Sequence, residues 1–328
     1  MSLNKFVFSE RFHLEDGGTL NGFELGYHTY GKLNKDAKVV WVFHALTANS
    51  DPFDWWKGLF GGDSLFNERE YFIVCCNVLG SCYGSSNPTT GDVLGDHQLD
   101  AFPLITVRDN IRAFQLLKNH LGIGEVYLSI GGSFGGFQAL EFCKMLKCSE
   151  HLITIAATSI ESSFNVAVHE AQRLCIEASG FSNAGLTAAR AMGMTSYRTR
   201  EEMELKQARE NDQIKDFRSS SYVRYQGSKL KDRFDSHAYY SLLNTLDAHD
   251  LSRGYESLEE AVGDIESRSL FVGIHEDRLS HAPQIEEESK YLKNGNYHEI
   301  HSKYGHDGFL IETEQLTEII RNFLNRKR

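Results

Sequence analysis

The sequence predicts an α/β fold with a mostly parallel sheet and helices on both faces, and three observations carry that expectation. Short β-branched and aromatic runs recur along the chain, amphipathic helical stretches separate several of them, and one long strand-free block interrupts the rhythm. The strand-like runs are KVVWVFHAL (38–46), EYFIVCCNVL (70–79), EVYLSIGG (125–132), HLITIAAT (151–158), SLFVGI (269–274) and YHEIHS (297–302). Between two of them, RDNIRAFQLLKNHLGI (108–123) repeats apolar residues at spacings of three and four, through Ile111, Phe114, Leu117 and Leu121, which makes one helical face. From about 160 to 260 the chain is rich in Glu, Arg, Ala and Ser, with Leu, Met and Tyr at helical spacing, and reads as a helical cap insertion over 161–260. The core is then 1–160 and 261–328. Its last helix carries Leu316, Ile319, Ile320 and Phe323 on one face, as a helix laid on a sheet should.

Composition narrows the function. The chain has 328 residues, 34 Lys and Arg against 45 Asp and Glu, and a formal charge of −11, which excludes a nucleic-acid or anionic-membrane surface and leaves a small-molecule partner. Apolar runs are too short to span a bilayer and MSLNKFVFSE lacks the apolar core of a signal peptide, so the expected location is the cytoplasm. Six cysteines form no CxxC pair and read as reduced, structural residues. The stretch HEIH (298–301) lacks HExxH spacing and reads as a strand, so no metal site follows.

Chemistry is concentrated at SIGGSFGGFQAL (129–140). Gly131, Ser133 and Gly135 form a G-x-S-x-G set directly after a strand and directly before a helix, the context in which a serine sits on a sharp turn with its oxygen projecting over the sheet. Such a nucleophile needs an acid after a later strand and a histidine after the last one. Asp277 follows SLFVGI, with Glu276 as its rival, and His306 lies between the last strand and the last helix, with His301 as its rival. The oxyanion formed by attack on a carbonyl needs two donors, expected from the backbone N–H of Phe134 and that of Leu46 in HALTANSD; His44 reads as structural.

With these residues in hand the sequence resembles the homoserine O-acetyltransferase family of the α/β-hydrolase superfamily, the acyltransferases of methionine biosynthesis. The resemblance runs over nearly the whole chain and rests on YHTYGKLN (27–34), HALTANS (44–50), FIVCCNVLGSCYGSSNP (72–88), GGSFGGFQALEF (131–142), AARAMGMTSYRT (188–199), the YQG, RFD and DAHD series within 222–250, and YGHDGFL (304–310). It implies that Ser133 is acylated by acetyl-CoA or succinyl-CoA as co-substrate, with no resident cofactor, and that Asp277 and His306 complete the triad. It further implies that Arg190 binds the carboxylate of L-homoserine, that Asp307 holds its amino group, and that the protein is a homodimer. Phe134 after the serine, HALTANSD and DRLSHAP depart from the family pattern and bear on the acceptor pocket. An esterase on the same scaffold, with water in the acceptor's place, is the alternative.

Overall fold

The computed structural model describes residues 2–326. Eight strands form one sheet: β1 (Asn4–His13), β2 (Thr19–Tyr30), β3 (Lys38–Phe43), β4 (Tyr71–Cys76), β5 (Val126–Gly132), β6 (Ser149–Ile155), β7 (Arg268–Ile274) and β8 (Gly295–Ile300), in the spatial order β1-β2-β4-β3-β5-β6-β7-β8. From β4 onward every neighbouring pair is parallel, whereas β1 and β2 add an antiparallel hairpin at one edge. That hairpin has no counterpart among the six runs read from the sequence.

Parallel strands need helical crossovers, and these cover both faces of the sheet. The helix Val107–His120 starts at a capping box in which the Thr106 hydroxyl accepts the Asp109 N–H and the Asp109 carboxylate accepts the Thr106 N–H. Its Ile111, Phe114 and Leu117 are buried against one face, with Trp41 and Phe142. The C-terminal helix Thr313–Asn325 buries Leu316, Ile320 and Phe323 against the other, with Val40, Ile130 and Val272.

Between β6 and β7 the chain forms helices, among them Ser163–Ala178, Asn183–Tyr197, Arg218–Lys231 and Ser236–Asp247. They pack on one another, and Asn183–Tyr197 also meets the turn Gly305–Asp307 that follows β8. All six cysteines are free thiols; burial pushes that of Cys143 up to about 11. Among the described residues no helix is long and apolar enough to cross a membrane.

Candidate active site

The site lies where the parallel strands end, the usual place for chemistry in such sheets because the loops there are free of the hydrogen-bonding ladder. Ser133 follows β5 and caps the helix Phe134–Leu146 with φ 54° and ψ −126°, a left-handed backbone that a serine holds only when its surroundings enforce it. The enforcement comes from contacts on both sides. A Cβ on Gly131 would lie 2.1 Å from the Gly135 carbonyl oxygen, and one on Gly135 would lie 2.2 Å from that of Phe43. Only glycine lets the turn close so tightly against its own helix and against β3.

Asp277 follows β7 and His306 follows β8, so the carboxyl ends of β5, β7 and β8, with β6 between the first two, supply the three side chains. The Ser133 hydroxyl donates to His306 Nε2 at 2.7 Å, and His306 Nδ1 donates to Asp277 Oδ2 at 2.7 Å. Asp277 Oδ1 is held in turn by the N–H groups of Leu279 at 2.8 Å and Ser280 at 3.1 Å. Both Asp277 and His306 are buried. Burial works to lower the His306 pKa, but the charge of Asp277 and its hydrogen bond outweigh that, and the net shift is upward.

The rival residues form a pair of their own outside this line. His301 Nδ1 lies 3.1 Å from Glu276 Oε1, with the His301 side chain largely exposed. His44 is buried between backbone groups: Nδ1 donates to the Ala45 carbonyl at 2.9 Å and Nε2 accepts the Val78 N–H at 3.1 Å. Burial lowers its pKa to about 4, so it is a neutral structural ring.

The two backbone N–H groups expected to serve the oxyanion are not used up by the turns in which they lie. Phe134 opens its helix, so its N–H has no intrahelical acceptor. Leu46 occupies the second position of a turn closed by the Ala48 N–H on the Ala45 carbonyl, a position whose own N–H the turn does not use. Ala45, Leu46 and Ser133 line one cavity of about 90 Å³ together with Arg190, His306 and Asp307.

Arg190 and Asp307 sit differently in that cavity. The Arg190 guanidinium lies 5.0 Å over the Tyr197 ring, and among the described residues no carboxylate comes within 4.0 Å of it. Enclosure opposes its charge, and Tyr197, Tyr239 and Asp307 more than offset this, so the side chain stays a cation. Asp307, by contrast, is bound by Arg198 Nη2 at 3.0 Å.

Sequence reasoning gave no role to that arginine or to its neighbours. Tyr197 stacks on His306 at 5.9 Å, Arg198 pairs with Asp307, and the Thr199 hydroxyl donates to the Lys303 carbonyl at 2.5 Å. Three consecutive residues at the end of the helix Asn183–Tyr197 thus buttress the loop that carries His306. A polar YRT triplet ending a helical run was the available signal, but nothing local tells which loop it meets. Glu161 and His169 also line the cavity. Glu161 accepts from Asn165 Nδ2 at 2.6 Å, with its carboxyl pushed up by burial, and His169 pairs with Asp247 at 2.6 Å.

Residues 38–313 match the model of the α/β hydrolase fold family. The homoserine O-acetyltransferase of Cyclobacterium marinum is 38% identical over 98% of this chain and 95% of its own length. The chain belongs to the homoserine O-acetyltransferase family. The member from Chloroherpeton thalassium is 39% identical over 96% of this chain and 87% of its own. The crystal structure of homoserine O-acetyltransferase from Staphylococcus aureus superimposes with a TM-score of 0.86 at 29% identity, covering 100% of this chain and 96% of that one. Within this family, then, stands a site with a serine, a histidine and an aspartate in line beside a cavity-lining arginine.

Proposed function

We propose that the protein transfers an acetyl group from acetyl-CoA to the hydroxyl of L-homoserine through an acylated Ser133. His306 takes the Ser133 proton as the serine oxygen attacks the thioester carbonyl, and the N–H groups of Leu46 and Phe134 bind the resulting oxyanion. Collapse breaks the carbon–sulfur bond, and His306 returns the proton to the departing CoA sulfur. The hydroxyl of homoserine then attacks the acyl-enzyme, His306 takes its proton, and Ser133 is released with that proton restored. Asp277 holds Nδ1 of His306 as a donor throughout and stabilises the imidazolium. Acetyl is favoured over succinyl by the small cavity, since succinyl adds two carbons, one of them a charged carboxylate.

The observation that carries this reading is Arg190. A cation that lines the serine's cavity, with no protein carboxylate within 4.0 Å among the described residues, suits the α-carboxylate of a free amino acid. Asp307 Oδ1 supplies the matching acceptor for the amino group, while Oδ2 stays on Arg198. The helical block between β6 and β7 acts as the cap that supplies Arg190. We also assign pairing of two copies to this block, where Phe164, Leu174, Met192 and Tyr225 are exposed; sedimentation velocity should give a dimer, and a monomer at micromolar concentration would refute it. The free thiols suit a reducing cytoplasm.

Arg190→Ala tests the acceptor site. It should leave the burst of CoA release from acetyl-CoA intact, because the donor presents no α-carboxylate. It should slow the reaction of pre-formed acyl-enzyme with homoserine by about one to two powers of ten, the worth of a charge-assisted contact. Rapid-quench measurement of the burst, followed by acceptor titration, separates the two steps. A lost burst with unchanged acceptor dependence would overturn the amino-acid pocket, and steady-state CoA release that continues beyond the burst without homoserine would make the protein a hydrolase.

A further inference from the structure

We infer that the outer ends of β7 and β8 form a divalent transition-metal site built from His275, Glu299 and His301. The sequence hides it, because the pair His298 and His301 suggested by HEIH is split by the strand: successive residues point to opposite faces. His298 lies on the side of the C-terminal helix, with Gln315 and Ile319. His301 shares its face with Glu299 and Tyr297, and the missing partner comes from the neighbouring strand. Ile274 and Ile300 are register partners, so His275 and His301, one residue beyond each, stand side by side with ring centroids 4.8 Å apart.

One ligand atom from each of the three residues lies within 4.8 Å of the others. His275 Nδ1 and Glu299 Oε1 are already 3.1 Å apart, near the separation of about 3.3 Å that bonds of about 2.0–2.1 Å impose on neighbouring ligands of a tetrahedral zinc ion. The two histidine side chains are 60% and 69% exposed, so rotation can close the remaining gap without moving the backbone.

What distinguishes the cluster from a chance meeting of surface groups is the shell behind it. The Tyr297 hydroxyl lies 3.2 Å from Glu299 Oε2 and 3.3 Å from the Ala282 carbonyl, and its donation to the carboxylate leaves Oε1 toward His275. The Ser302 N–H holds Glu276 Oε2 at 2.7 Å, and Glu276 Oε1 meets His301 Nδ1 at 3.1 Å, which leaves Nε2 of that ring for a metal. Each carboxylate is thus tethered through one oxygen and presents the other to a histidine, the arrangement that orients ligands in metal sites. Two imidazoles and one carboxylate suit zinc or cobalt rather than calcium or magnesium. A bound ion would tie the two strand ends together one residue before Glu276 and two before Asp277.

The test is zinc chloride titrated calorimetrically into the untagged full chain, with cobalt chloride as the spectroscopic probe. One equivalent of zinc should bind. His275→Ala, His301→Ala and Glu299→Gln should each weaken binding at least tenfold, and Tyr297→Phe by roughly tenfold, the range for residues that orient a ligand. His298→Ala, on the opposite face, should bind as wild type does. Zinc should raise the unfolding temperature of the wild type and of His298→Ala but not that of His301→Ala, which also checks that the exposed substitutions leave the fold intact. Zinc binding that is absent in the wild type, unchanged in the three ligand variants, or lost equally in His298→Ala would overturn the assignment. So would cobalt bands of thiolate ligation.

Discussion

Ser133→Ala is expected to lower acyl transfer by at least about four powers of ten, the usual cost of removing a triad member, while leaving the protein folded. Among the described residues the serine oxygen makes one hydrogen bond to protein, to His306 Nε2 at 2.7 Å, and it lines the cavity rather than the core. Its loss leaves no apolar void, and removing one such bond costs only about 1 kcal/mol of stability. The turn itself stays, because the contacts of Gly131 and Gly135 that impose it do not involve the hydroxyl. The measurement is the CoA burst from acetyl-CoA, with urea unfolding as the control. A variant that keeps more than about a tenth of the wild-type rate would remove Ser133 from the role of nucleophile. Covalent acyl-enzyme should likewise be absent from the variant by intact mass.

The elements that position this site were those most legible in the sequence. Five of the six parallel-sheet runs are dense apolar stretches, since both faces of their strands are buried; the sixth, YHEIHS, with one β-branched residue, is the partly exposed edge strand β8, and all six became strands. The hairpin β1–β2 escaped because its signal is weaker. In β1 the side chains alternate between partly buried and exposed, Glu10 and Arg11 interrupt the apolar pattern, and the register shifts between Phe8 and Arg11. The pattern that was present is aromatic: Phe6, Phe8 and Phe12 all pack on Phe23. Ser133, Asp277 and His306 could be read from chain order because strand ends fix their neighbourhood. Arg198 could not, since its partner Asp307 is set by how the helices between β6 and β7 meet the loop after β8, a tertiary fact with no local trace. The same holds for His275, whose place beside His301 follows from strand register.

The second large effect separates Asp277 from its neighbour. Asp277→Asn should slow acylation by roughly four powers of ten, whereas Glu276→Gln, whose partner is the exposed His301, should leave it within about twofold. The reason lies in the two backbone donors at Asp277. The N–H groups of Leu279 and Ser280 hold Oδ1, so an asparagine there would keep its oxygen on them and turn its NH₂ toward His306 Nδ1. That nitrogen would become an acceptor, the proton would move to Nε2, and Nε2 could no longer take the proton of Ser133. The variant should also shift the pH profile in a definite direction. In the wild type the folded pKa of His306 is raised above 6.5, so the neutral base is lost, and acylation with it, as pH falls through that raised value. Without the carboxylate the two largest upward causes disappear, leaving burial against the weaker pulls of Asp307 and Glu161, so the acid limb of the residual activity should move to lower pH. The profile of kcat/KM for acetyl-CoA, measured in both proteins, reads this shift directly. If Glu276→Gln were the slower variant, or if the acid limb of Asp277→Asn stayed where the wild type has it, Asp277 would not be the carboxylate that sets the tautomer of His306 and stabilises its imidazolium.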